Sequence, residues 1–415
     1  MFVLKQYWQK LSTKLWLRPT LSGLFAAFMA ALAYWLGQRY DAVFSFDISE
    51  DSLLMLLGIF TSSMLSVATF TVSAIVTAAS SASNSTTPRA SQYVLNDNIS
   101  QLVLSAFIGA FIYSLVGVFS LKTLHYGPTG RFVLFVGLLV FVLLVLFALI
   151  NWIDHAIKLG RQSTIVGKLY DATLATLRPE IVGTLGAKTW QGGIPLQGQA
   201  VYPNKVGYIT ALDMQALQQA AERSNVHIII STRPGEIAET TTPIAYISPA
   251  SNADENLIHC LNAALVIDSK RQPFMDLRHN LLNLTETADR ALSPGINDPG
   301  TAIHIMNIQM DLLLQWANLQ NNPQCYAVQY DRLSLPAVTA EELVNDCFTP
   351  IARDGASAVE VGIRLQKVLQ ALARAGHPEL STAAKTMSAT ALELAEHSLV
   401  ANAHKAKVAK AAVAV

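Results

Sequence analysis

Five hydroxyl side chains recur along one apolar segment, Ser62, Ser66, Thr69, Ser73 and Thr77, at intervals of four, three, four and four. A helix of about 3.6 residues per turn stacks that spacing on a single face. Two chemistries fit a hydroxyl row inside a membrane span. It can line a hydrophilic path, or it can let helices approach closely while each hydroxyl bonds its own backbone. The surrounding segment, Leu53–Ala79, holds no carboxylate, histidine or cation, and proton- or ion-coupled pumps need such groups at mid-depth. The five residues are candidates for pore lining, not for pumping.

The sharpest local motif is Arg290-Ala291-Leu292-Ser293-Pro294-Gly295-Ile296-Asn297-Asp298-Pro299-Gly300-Thr301-Ala302. Ser293-Pro294-Gly295 ends one helix, and Asp298 then caps the next with Pro299 at the first helical position, where a missing N–H costs nothing. One reading is a tight turn between two helices. The other makes Arg290, Ser293, Asn297, Asp298 and Thr301 a functional loop, with the helix-start N–H groups beside Arg290 holding an anion, or Asp298 holding a cation. The Asp298 carboxylate competes with an incoming anion and satisfies the donors it would use, which favours the structural reading.

Other constellations are weak. Asp154-His155 at the end of an apolar run reads as an interfacial cap before it reads as a cation or pH site. Glu393, His397 and His404 share a helical face but sit in an Ala-rich terminal stretch, where a solvated pair is the ordinary outcome. Cys260, Cys325 and Cys347 lie far apart with no Cys-x-x-Cys pair, so reduced structural cysteines are expected. Phosphate-binding loops, dinucleotide fingerprints, His-Glu-x-x-His and Gly-x-Ser-x-Gly elbows are missing. No catalytic set, metal or cofactor is expected.

These residues need elements to carry them. The 415 residues are 52% hydrophobic and 14% charged, too apolar for an ordinary soluble enzyme. Residues 1–160 hold 9 of the 29 Lys+Arg and 6 of the 29 Asp+Glu, so the apolar part is N-terminal. Four runs, Leu17–Leu36, Leu53–Ala79, Leu102–Leu121 and Phe132–Ile153, reach the roughly 20 residues that cross about 30 Å of hydrocarbon. A cleaved leader ending at Ala31-Leu32-Ala33 is the rival for the first run. Tyr7, Trp8, Trp16, Tyr34 and Trp35 argue instead for an interfacial belt. In the third span Ala106, Ala110 and Ser114, with Ser105 and Gly109, suit close helix contact.

Lys5, Lys10, Lys14 and Arg18 precede the first span and Lys158, Arg161 and Lys168 follow the fourth, whereas Asp41, Asp47, Glu50 and Asp51 fill the first loop. Both termini are therefore expected in the cytoplasm. The polar run Ser80–Arg89 reads as a linker, with a short surface helix near Gln92-Tyr93.

The fold class expected is an α-helical membrane domain of four transmembrane helices, followed by a cytoplasmic α+β region, a small β-rich module and then a helical bundle. The domains are residues 1–160, a connecting helix and linker over 161–195, the β-rich module over 196–250, the helical domain over 251–404 and a frayed tail over 405–415. Pro179 is expected to stop the connecting helix near Arg178. Strands are expected at Gln199–Tyr202, Gly207–Leu212, Val226–Ser231 and Pro243–Ile247, with a helix over Met214–Ser224 and a turn at Arg233-Pro234-Gly235-Glu236. Helices are expected at 256–267, 273–292, 299–318, 339–350, 355–375 and 378–404.

The hairpin run, together with Ser85-Thr86-Thr87-Pro88-Arg89, the Phe107-Ile108-Gly109-Ala110-Phe111-Ile112-Tyr113 pattern and Gly207-Tyr208-Ile209, resembles an uncharacterised family of predicted bacterial membrane proteins, a domain-of-unknown-function family. The resemblance runs from about residue 10 to about residue 375. It implies a four-span bacterial inner-membrane protein with a cytoplasmic C-terminal region, and it supplies no activity. The chain departs at Gly300, where a larger, often aromatic residue is expected. The functional expectation is an oligomeric channel-like protein with a cytoplasmic assembly or gating domain; a membrane-anchored sensor or scaffold binding a small ligand or a protein is the alternative. The expected partners are the lipid bilayer and further copies of the chain, with no nucleic acid and with the ligand or ion unidentified.

The orientation has a direct test. A reporter fused after Val415 should be active only in the cytoplasm and one inserted at Asp47 only outside, and the opposite pattern would overturn every inside and outside assignment.

Overall fold

Hydrocarbon offers backbone polar groups no partner, so a spanning segment must satisfy them internally as a helix. A computed structural model describes residues 16–39, 48–89, 97–193 and 198–412. It has four helices long and apolar enough to cross a membrane. They are α1 (Leu17–Arg39), α2 (Glu50–Ser85), α3 (Asn98–Thr123) and α4 (Pro128–Lys158). The chain divides into two compact units, one holding these helices up to Ile165 and the other beginning at Val166 and including Ser85–Thr87.

In the first unit α1, α3 and α4 pack against one another. Glycines set how closely. A Cβ at Gly37 would stand 2.7 Å from the Gly130 Cα, and a side chain at Gly109 would run into Ser22. Hydrogen bonds aimed at backbone carbonyls pin the same contacts, from Ser22 Oγ to Ser105 O at 2.8 Å and from the Tyr113 hydroxyl to Leu134 O at 2.9 Å. α2 joins this core at its start, through Leu53 and Leu57 beside Tyr113, Leu121 and Leu134.

The second unit opens within α5 (Gln162–Leu174), which α6 (Pro179–Val182) follows. Its strands are β1 (Ala187–Thr189), β2 (Gln199–Val201), β3 (Gly207–Leu212), β4 (His227–Ile230), β5 (Ile237–Ala238), β6 (Ala245–Ser248), β7 (Leu265–Asp268) and β8 (Tyr330–Leu335). One sheet runs β1-β8-β4-β6-β2 and a second runs β5-β3-β7. β8 lies parallel to both β1 and β4, while the β4-β6 and β6-β2 pairs and the whole second sheet are antiparallel. Helices α7 (Met214–Arg223) and α8 (Glu255–Ala264) help close a core that includes Ile209, Leu217, Ile228, Ile247, Leu261 and Leu333.

The rest is a bundle of α9 (Leu277–Leu292), α10 (Pro299–Gln320), α11 (Ala340–Asp354), α12 (Val359–Ala373), α13 (Pro378–Ser398) and α14 (Asn402–Ala411). α9 packs on α10 and α11, α10 on α12, and α13 on α11, α12 and α14. Buried polar pairs tie helices together, Gln309 to Thr285 at 2.8 Å and Gln366 to the Ser388 carbonyl at 3.0 Å.

Several local expectations are corrected. The polar run after residue 79 is not a linker up to Arg89, because α2 continues through it to Ser85. Leu265–Asp268 is strand β7 rather than the end of a helix, and Tyr330–Leu335, in the gap between the helices expected at 299–318 and 339–350, is strand β8. A short apolar run such as Leu265–Asp268 does not distinguish helix from strand, and pairing with β3 decides it; β8 is fixed by pairing with β1 and β4. Pro179 opens α6 instead of ending a helix, since the preceding helix already stops at Leu174. In the tail α14 is helical to Ala411, and Val408 is buried beside Ala395 and Leu399 and packs over Gly362. The expectations on Lys5, Lys10, Lys14, Asp41, Asp47, the Gln92-Tyr93 surface helix and the last three tail residues lie outside the described residues.

Candidate functional site

The hydroxyl row forms one outward face of α2. Ser62, Ser66, Thr69, Ser73 and Thr77 are all exposed, and because the helix runs on, Ser80, Ser81 and Asn84 extend the same face to its end. The opposite face, with Leu57, Met64, Ala68, Thr71, Ile75 and Ala82, is buried. Each hydroxyl donates to a carbonyl four residues back: Ser62 to Gly58, Ser66 to Ser62, Thr69 to Leu65, Ser73 to Thr69 and Thr77 to Ser73, over 2.8–3.2 Å. The hydroxyl protons are thus spent, and what the face offers outward is oxygen lone pairs.

At the end of the bundle where α3 begins and α4 ends, Asp97 caps α3. Its Oδ2 accepts from Ser100 N at 2.8 Å and from Ser100 Oγ at 2.7 Å, and it lies 2.6 Å from His155 Nε2. The sequence pair Asp154-His155 is therefore split. His155 turns inward to Asp97, while Asp154 pairs with Lys158 at 2.8 Å on the exposed side.

The motif between α9 and α10 closes on itself. Asp298 caps α10, with Oδ1 accepting from Thr301 N at 3.1 Å and Oδ2 from Thr301 Oγ1 at 2.6 Å. Ser293 Oγ donates to Arg290 O at 2.6 Å, and Asp298 N donates to Ala291 O at 2.7 Å. Asn297 turns the chain with φ +51, a left-handed conformation that Asn tolerates better than most residues. A Cβ at Gly300 would stand 3.3 Å from Asp298 Oδ1, so a larger residue there needs a small shift of the cap. The five candidates Arg290, Ser293, Asn297, Asp298 and Thr301 are together in this turn. Elsewhere, Glu393 and His397 on α13 and His404 on α14 are exposed and stand on separate helices. Cys325 and Cys347 are buried, but Cys260 is exposed rather than packed inside.

Two features escaped the sequence reading. The first is an ion-pair network around the Arg233-Pro234-Gly235-Glu236 turn. Arg233, 8% exposed, reaches Glu236, the Ala337 carbonyl and Glu342, the last at 2.6 Å. Arg278 holds Glu342 at 2.7 Å and Asp346 at 2.6 Å, and Arg271 grips buried Asp276 through two bonds of 2.7 and 2.9 Å. Gly235, at φ +96, lies against the Asp276 carboxylate where a side chain would collide. Burial alone would raise the Glu342 carboxyl, but Arg233, the Thr339 backbone and the Arg278 charge pull it down to about 2. That depressed value adds stability present above the ordinary carboxylate range and lost as pH falls through the acid range toward 2. A cleft of about 130 Å³ opens here, bounded by the three arginines, by the carboxylates Glu236 and Asp276, and by apolar Ile181, Leu185, Met275 and Leu335. Its parts come from four stretches of sequence, so no local motif announces it.

The second is Asp289, next to Arg290. Burial, then the Asp354 charge, push its carboxyl up to about 6 against the pull of Arg353, and its buried Oδ1 has no hydrogen-bond partner among the described residues. A helical DR pair looks solvated in sequence, which hid it.

Two substitutions test these readings. If Asp298 is a cap, Asp298→Asn should be nearly silent while Asp298→Ala destabilises by about 0.5–2 kcal/mol. Loss of function in Asp298→Asn at an unchanged melting temperature would sink the cap reading. For Asp289 the folded value lies above the unfolded one, so its ionisation lowers stability as pH rises from about 4 to about 6. Asp289→Asn should raise the melting temperature at pH 7.5, by at most about 3 kcal/mol of stability, with the gain vanishing below about pH 4. A destabilised variant at pH 7.5 would refute this.

Residues 12–371 match the family described as a predicted membrane protein, DUF2254. No curated protein and no solved structure matches the chain. With four apolar helices, small mixed sheets and a helical bundle in hand, the match covers all but the two ends, and the chain belongs to the DUF2254 family of predicted membrane proteins.

Proposed function

We propose that the chain is a multi-pass protein of the bacterial inner membrane with both ends in the cytoplasm. Its copies associate through α2 to line a hydrophilic path, and the region from Val166 onward assembles or gates it. The observation that carries this reading is the outward hydroxyl face of α2. Turned to hydrocarbon, such a face gains nothing. Turned to other copies, its small residues allow close approach, and its oxygens can wet a path. With the hydroxyl protons spent on backbone, the lone pairs suit cations and polar solutes over anions. About 20 residues from Leu53 fill the hydrocarbon, so the face begins near mid-depth and continues past the inner surface. Orientation rests on Lys158, Arg161 and Lys168 after α4 against Glu50 and Asp51 at the start of α2. The cleft beside Arg233, Arg271 and Arg278 favours a second reading, a membrane-anchored sensor or scaffold whose cytoplasmic region takes a small ligand.

The test is oxidative crosslinking with flux. With Cys260 replaced by Ser, single cysteines at Ser66 and Ser73 should link copies in membranes, whereas one at buried Met64 should not. Liposomes holding the protein should pass small cations or polar solutes under voltage, tension or a pH step. No linking at either position together with no flux would sink the channel reading.

A further inference from the structure

The cleft of the second unit has an imbalance that names its ligand. A guanidinium carries five N–H donors. Arg271 spends two of them, both on Asp276. Arg278 spends three, on Asp346 and Glu342. Arg233 spends four, on Glu236, Glu342 and the Ala337 carbonyl. The acceptors are more nearly filled. Both oxygens of Asp276, Glu236, Glu342 and Asp346 already accept at least one hydrogen bond, the Asp276 and Glu342 carboxylates with help from His279 N and Thr339 N. Arg271 and Arg278, which line the cleft, thus keep unspent N–H donors, and their planar forks match a carboxylate.

Charge and shape narrow the class. Among the residues that bound the cleft, three guanidiniums meet two carboxylates, Glu236 and Asp276, so the lining keeps one formal positive charge, which suits one anionic charge and disfavours a second close by. The rest of the cleft is apolar, formed by Ile181, Leu185, Met275, Leu335 and Val338. Its volume of about 130 Å³ is close to that of a cavity of about 150 Å³ that takes a benzene ring. The buried carboxylate of Asp276 and the glycine-only turn at Gly235 hold Arg271 in place, so the donors are set before any ligand arrives.

We infer that this cleft binds a small monocarboxylate with a compact apolar body, its carboxylate on the free donors of Arg271 and Arg278 and its body against Met275 and Leu335. The inference rests on the sensor reading above, and it specifies the ligand class which that reading leaves open.

Benzoate and inorganic phosphate are the probes, titrated into the full chain in lipid nanodiscs with empty nanodiscs as the control. Benzoate should bind saturably and phosphate should not. Arg271→Gln should weaken benzoate at least tenfold. Because that change also leaves Asp276 unpaired, Met275→Trp serves as the second variant: it fills the cleft without touching an ion pair and should abolish binding at an unchanged melting temperature. Benzoate binding that survives Met275→Trp, or no benzoate binding, overturns the inference. Phosphate binding without benzoate binding overturns it while leaving the sensor reading intact. The sensor reading falls separately, if neither a small molecule nor a protein partner is retained by the full chain in crosslinked membranes.

Discussion

Between two helices in lipid there is no hydrophobic gain, because the tails that leave are as apolar as the side chains that replace them. The membrane unit of this protein is organised by that constraint. Its inner trio is held by close backbone approach and by hydrogen bonds that side chains deliver to neighbouring carbonyls. Gly37 against Gly130, Ser22 on Ser105 O and Tyr113 on Leu134 O each join two of the three helices α1, α3 and α4. A hydroxyl that reaches across to another helix fixes a register, and one that folds back on its own helix does not. The outward hydroxyls of α2 belong to the second kind. The same chemistry thus serves as glue at one place and as an uncommitted surface at another.

The second unit meets the corresponding problem for charges. In the cleft network, half-buried charged groups are tolerated because guanidiniums and carboxylates are matched by hydrogen-bonded partners, as Arg233 is by Glu236 and Glu342. Removing one member would strand a half-buried charge. The network spans β4 to β5, α9 and α11, so it ties sheet to bundle within the unit.

The membrane half was legible because length and apolarity are properties of unbroken stretches. Glu50–Ser85 shows the limit of that reading: hydropathy marks Leu53–Ala79, but the helix continues wherever no residue breaks it, and Ser80-Ser81-Ala82-Ser83 does not. The cap at Asp298 was legible for a similar reason, since all its parts lie within a few residues. What could not be read depends on pairing across long separations. Leu265-Val266-Ile267-Asp268 continues a helical composition, and only β3 makes it a strand. The Arg233 cleft draws on residues 181–338, so its charges looked like scattered surface residues.

Strand β8 has a consequence in time rather than in space. It is the inner strand between β1 and β4, parallel to both, yet Tyr330 follows Ala187 by most of the unit's length. Nascent chains emerge at about 5–20 residues per second, so β1 is left without its neighbour for on the order of ten seconds. The β4-β6-β2 ladder can zip early, leaving an edge on β4 that only β8 fills. Unfilled edges invite pairing with other chains. The order of synthesis therefore makes the arrival of Tyr330–Leu335 the moment at which the β4 edge is closed to other chains.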